Sequence, residues 1–110
     1  MTVRELAQQL ALTPLALPDG DRPVEGGYCG DLLSWVMGRA QSGQAWVTIM
    51  TNINVVAVAA LTDVACVILA EGSAPEADVI ARAESQGINL LQSEKASYEL
   101  CVGVHRAAGV

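Results

Sequence analysis

The 110-residue sequence predicts a three-layer α/β fold, a mostly parallel sheet of about five strands flanked by helices. Three observations lead there. From residue 23 onward, short apolar runs alternate with stretches whose apolar residues recur at helical spacing, the pattern of βαβ crossovers. The run over residues 45–50 is nearly continuous in apolar residues, as expected of a strand covered on both faces, and the run over 64–70 reads as the clearest interior strand. With 52% hydrophobic and 16% charged residues, a chain of this length can bury one core but not two, so a single domain over residues 1–110 is expected.

The elements follow in order. Thr2-Val3-Arg4-Glu5 has the spacing of a capping box, and Val3, Leu6, Ala7 and Leu10 then form one apolar helical stripe. An apolar run over 12–17 leads to Pro18-Asp19-Gly20-Asp21, a turn by composition. Residues 22–29 read as a strand in which Gly26-Gly27 marks a bulge or a close backbone approach. Leu32, Leu33, Val36, Met37 and Ala40 repeat at helical spacing behind Asp31, an expected N-cap, and Ser42-Gly43 ends that helix.

After the 45–50 strand, Thr51-Asn52-Ile53-Asn54 supplies caps for a helix over 55–61 that is apolar all round. Such a helix is expected to be buried on every side, in the core or in a subunit interface. Ser73 with Glu76 three residues on, and Pro75 in the first turn, start a helix over 75–86 closed by Gly87. Residues 88–91 form a last short strand. Ser93 is the expected cap of a final helix in which Ser97, Leu100, Cys101 and Val104 share a face, and 107–110 are expected to fray.

Charge and composition exclude several classes of function. Twelve acidic residues against six basic ones give a net charge of −6, which repels phosphate backbones and anionic headgroups, so neither nucleic acid nor a membrane surface is an expected partner. The longest apolar stretch, 55–70, is broken by Thr62 and Asp63 and falls short of the roughly 20 residues a bilayer-spanning helix needs. The amino terminus lacks the apolar run of an export signal. Cys29, Cys66 and Cys101 are too dispersed for a disulfide framework or a CxxC site, so a reducing cytoplasm and three small buried hydrophobes are expected. No metal site and no cofactor are expected.

One segment, Asp21-Arg22-Pro23-Val24-Glu25-Gly26-Gly27-Tyr28-Cys29-Gly30-Asp31-Leu32-Leu33, resembles the signature of the DRTGG domain family, where an Asp-Arg pair precedes a glycine-containing strand and a Gly-Asp helix start. Two further stretches, from Glu71-Gly72-Ser73-Ala74-Pro75-Glu76 to Gly87-Ile88-Asn89-Leu90-Leu91-Gln92-Ser93, are similar to that family's second half and to the non-catalytic N-terminal domain of HPr kinase/phosphorylase. Pro23 stands at the third position of the name motif, and Val24-Glu25 separates it from the glycines. No GxxxxGK[ST] loop is present, so kinase activity does not carry over. The resemblance implies an HPr kinase N-terminal-domain-like fold and a stand-alone regulatory or assembly module acting on a separate client protein.

Three functional readings follow. The first is a ligand-sensing or assembly module, homodimeric through the 55–61 helix or the Trp35 face. In open α/β sheets, ligands collect outside the carboxyl ends of parallel strands. That places a candidate rim at Gly30, Asp31, Asn52, Asn54, Gly72, Ser73 and Ser93, suited to a small polar or phosphorylated metabolite. The bland account of Asp31, Asn54, Ser73 and Ser93 is that they are helix caps contributing about 1 kcal/mol each. The second reading is a protein–protein adaptor with no small-molecule ligand. The third, ranked last, is a hydrolase using Asp31, Asp63 and Glu71. His105 lies four residues from Cys101 on one helical face, but no third catalytic member is evident. Arg22 is expected to brace the turn beside Asp21, or to reach an anion.

Overall fold

The computed structural model describes residues 1–110. Its elements are α1 (Val3–Gln9), β1 (Thr13–Ala16), β2 (Gly26–Cys29), α2 (Leu33–Arg39), β3 (Gln44–Thr48), α3 (Asn54–Thr62), β4 (Cys66–Leu69), α4 (Ala77–Ser85), β5 (Leu90–Gln92) and α5 (Ser97–Ala108). The five strands form one sheet in the order β1-β5-β4-β3-β2. The four strands from β2 to β5 run parallel, and β1 pairs antiparallel with β5 through a register shift between Pro14 and Ala16. An edge strand tolerates Pro14, because a proline there removes no donor that the sheet needs.

Parallel strands laid down one beside the next by like-handed crossovers put every connecting helix on the same face. That face carries α2, α3 and α4, whose Val36, Val55, Val56, Val58, Ala59, Val79 and Ala83 pack on Trp46, Val67, Leu69 and Leu90. The opposite face is left to the two terminal helices. Val3, Leu6 and Ala7 of α1 and Leu100 and Val104 of α5 cover Ala45, Val47, Cys66, Ile68 and Leu91 there. Every residue of β4 is buried, as its uninterrupted apolar run implies.

The capping box at Thr2 forms as expected, with the Glu5 amide donating to Thr2 Oγ1 and the Thr2 amide donating to Glu5 Oε1. Gly87 sits at φ +74° just beyond α4, the left-handed position that a helix stop requires.

Three expectations are corrected. The 22–29 strand is shorter than expected, because Thr2 bridges Pro23 and the Val24 amide donates to the Met1 carbonyl. Residues 22–24 therefore belong with the amino terminus, and only Gly26–Cys29 joins the sheet. The 55–61 helix is not buried on every side: Val55, Val56, Val58 and Ala59 face the core, while Ala57, Ala60 and Leu61 are exposed. Its apolar exposed side consists mainly of alanine, which is why periodicity could not separate the two faces. Finally, Asp31, Ser73 and Ser93 do not cap α2, α4 and α5, whose N-cap positions are held by Leu32, Glu76 and Ala96 without side-chain bonds.

Candidate functional site

Because β2, β3, β4 and β5 are parallel, the loops that follow them emerge at one edge of the sheet. All seven residues of the expected rim lie in these four loops or at the helix starts they lead into, but their local roles differ from those expected. Asp31 turns away from the start of α2 and back across the sheet. Its Oδ1 accepts from Thr48 Oγ1 at 2.8 Å and from the Ile49 amide at 3.0 Å, which ties the β2 loop to the β3 loop. Trp46, fully buried, donates from Nε1 to the Gly30 carbonyl at 2.9 Å and fixes the same corner from below.

Asn52 forms an Asx turn in which its Oδ1 accepts from the Asn54 amide at 2.9 Å. Asn54 is thus the first residue of α3 rather than its cap, and both asparagine side chains are exposed.

On the other half of the rim, the Gly72 amide donates to the Ser93 carbonyl and the Glu71 amide to the Lys95 carbonyl, each at 2.9 Å. The Ser73 carbonyl accepts from Gln92 Nε2 at 2.8 Å. Ser93 is buried, and its Oγ accepts from the Lys95 amide at 3.1 Å, shaping the turn before α5 rather than capping the helix. Gly72 has φ +72°, and a Cβ added there would press on the Glu94 carboxylate. Glycine is therefore favoured at this position chiefly by its left-handed backbone conformation.

The amides of Gly30, Asn54, Gly72, Ser73 and Ser93 are all consumed by bonds within the protein. The groups facing outward are the Asn52 and Asn54 side chains, the half-buried Ser73, Asp31, Glu71, Glu94 and Lys95. Lys95 is the rim cation that sequence reasoning missed. It carries no motif and stands at the rim only because β5 ends beside β4. With three carboxylates around one ammonium, the rim is acidic.

The three acids of the hydrolase reading do not come together. Asp63 is the left-handed C-cap of α3, at the amino end of the sheet. Arg22 donates to Asp63 Oδ1 at 2.8 Å and to its carbonyl at 2.7 Å, and Ser42 donates to Oδ2 at 2.6 Å. These bonds from Arg22 and then Ser42 hold the Asp63 carboxyl below its usual range, while the same contact holds the Arg22 guanidinium above its own. Asp21, the expected neighbour of Arg22, pairs with Arg4 instead.

The cysteines are also unlike one another. Cys66 is the buried hydrophobe expected, and burial pushes its thiol up to about 12. Cys29, however, is exposed and Cys101 half-buried, and both line an apolar cavity of about 300 Å³ between β2 and α5, with Val104 and His105. A second cavity, of about 380 Å³, lies between α1 and β1, and neither opens on the rim. No helix is long and apolar enough to cross a membrane.

No protein-family model matches this sequence, and no curated protein does. Among solved structures, the fold is similar to the CBS and DRTGG domains of the regulatory region of a Clostridium perfringens pyrophosphatase, crystallised with its activator, diadenosine tetraphosphate. The TM-score is 0.72 at 12% sequence identity, over 94% of this chain and 45% of that one. The present chain thus spans less than half the length of its structural neighbour. The likeness is one of architecture, and it gives this chain the α/β fold of a DRTGG-like module.

Proposed function

We propose that the chain is a non-catalytic regulatory module, one DRTGG-like domain over residues 1–110, that senses a small ligand at the carboxyl-end rim and acts on a separate client protein. The observation that carries this reading is the likeness, over 94% of the chain, to a regulatory region solved with a nucleotide activator bound. Asn52 and Asn54 supply exposed amide donors and acceptors, Ser73 a hydroxyl, Asp31 its second carboxylate oxygen and Lys95 an ammonium. Gly30, Gly72 and Ser93 shape the loops rather than contact the ligand, since their amides are already bonded. The acidic balance of the rim disfavours a bare polyphosphate. It favours a neutral polar ligand, or a nucleotide whose phosphates carry a divalent cation.

A thermal-shift panel of mono- and dinucleotides, acyl phosphates and sugar phosphates, each with and without Mg²⁺, tests the proposal. A true ligand at 100 times its dissociation constant stabilises the fold by about 2.7 kcal/mol. The shift is expected to require Mg²⁺ for phosphorylated ligands and to vanish in Asn52→Ala.

The exposed outer surface of α2 favours a second reading, that of a protein–protein adaptor with no small-molecule ligand. Leu32, Trp35 and Met37 are 57%, 53% and 48% exposed, and the Arg39 guanidinium stacks 3.8 Å from the Trp35 ring. Large apolar side chains with a stacked arginine are the composition of interface hot spots. A panel without any shift replaces the sensor reading with the adaptor, whereas a dimer by sedimentation that Trp35→Ala dissociates supports the homodimer of the first reading.

A further inference from the structure

The cavity between β2 and α5 brings together two thiols that lie far apart in the sequence. Cys29 is the last residue of the edge strand β2 and is exposed, while Cys101 sits in the second turn of α5 and is half-covered. The two elements pack closely, since a Cβ on Gly27 would meet Val104 Cγ1 at 3.6 Å. Burial, and then the neighbouring Cys101 thiol, push the Cys29 thiol up to about 11. The surrounding wall is mainly apolar, with the His105 imidazole in its lining and the Asp31 carboxylate near Cys29.

We infer that Cys29 and Cys101 form an exchange-active dithiol that closes, on reaction with a small-molecule disulfide, into an intrachain bond fastening α5 to β2. Cys29 reacts first, because it is the sulfur that a reagent can reach. Its proton leaves and the thiolate attacks one sulfur of the reagent. The reagent's S–S bond breaks, and one thiolate departs with the electron pair and is protonated. Cys101 then loses its proton and displaces the second reagent thiolate from Cys29, forming the Cys29–Cys101 bond. The protein loses two electrons and two protons, and the reagent disulfide gains them as two thiols. The cavity opens toward solvent, so the departing thiol has a way out. Thiolate is scarce at neutral pH for a thiol raised this far, so mildly alkaline solution is the place to observe the exchange.

Closure has a consequence for the rim. Cys29 immediately precedes Gly30-Asp31, and α5 follows directly from the Ser93-to-Ala96 turn. The bond therefore ties together the elements that carry the two halves of the rim.

The full chain is incubated with oxidised glutathione, quenched in acid, alkylated and mapped by peptide mass spectrometry. The expected product is a single intrachain link between Cys29 and Cys101, with Cys66 unreacted and a raised melting temperature. Cys101→Ser is expected to stop at a glutathione adduct on Cys29 with no rise in melting temperature. Wild-type protein that stops at the same adduct, links two copies through Cys29, or remains reduced under these conditions overturns the inference.

Discussion

At the amino end of the parallel sheet, side chains close on one another. Arg22, Ser42 and Asp63 form a bonded trio there, and buried Asn89 bridges the turn at Asp19 to Ala65, just ahead of β4. At the carboxyl end the bonded side chains, Asp31, Trp46 and Gln92 among them, bond mostly to loop backbone and leave Asn52, Asn54, Glu71 and Lys95 exposed. The contrast separates polar residues that stabilise from polar residues available to recognise. A side chain whose bonds are all made inside the protein has little left for a ligand, however polar its type.

The largest expected effect is at the amino end. Asn89 is buried, and it makes three bonds: Nδ2 donates to the Asp19 and Ala65 carbonyls at 2.8 and 2.9 Å, and Oδ1 accepts from the Asp19 amide at 3.0 Å. Asn89→Ala is expected to cost about 3 kcal/mol, read as a lower urea midpoint. A loss as small as that of a surface substitution would erase the distinction between the two ends.

Next is Gly72→Ala, which meets a positive φ and the Glu94 carboxylate. Glu94 can swing away, so the backbone dominates and the expected cost is about 1 kcal/mol. The same substitution is expected to weaken any ligand at the rim, which would sharpen the comparison by showing a modest stability change with a larger binding change.

The smallest effect concerns pH. The Asp63 carboxyl is depressed in the folded state, so its contribution to stability is complete above its unfolded value and is lost as pH falls through the folded one. Asp63→Asn is expected to flatten the acid limb of a stability–pH curve without moving its neutral plateau far, because the carboxylate is mostly solvent-exposed.

Much of the fold was legible in the chain's order. Helical spacing announced α1, α2, α4 and α5, near-continuous apolar runs announced β3 and β4, and the capping box at Thr2 and the stop at Gly87 formed where expected. The edge of the sheet on which the candidate loops gather follows from the parallel strand order that alternation implies. Caps were read less well. Asp31 and Ser93 have the right chemistry for an N-cap, but each found a better-placed donor nearby, at Thr48 and Lys95 respectively. Local composition cannot weigh such a competition.

What the amino-acid order determined by itself was therefore the periodic part: which segments coil, which extend, and which faces must be covered. Only the tertiary structure decided which distant side chains meet, since pairs such as Arg22 with Asp63, Asn89 with Asp19 and Cys29 with Cys101 are separated by whole elements. The physical reason is range. Helix and strand periodicity is set by neighbours a few residues apart, whereas polar pairing and cavity lining depend on how the packed sheet brings its ends and edges together.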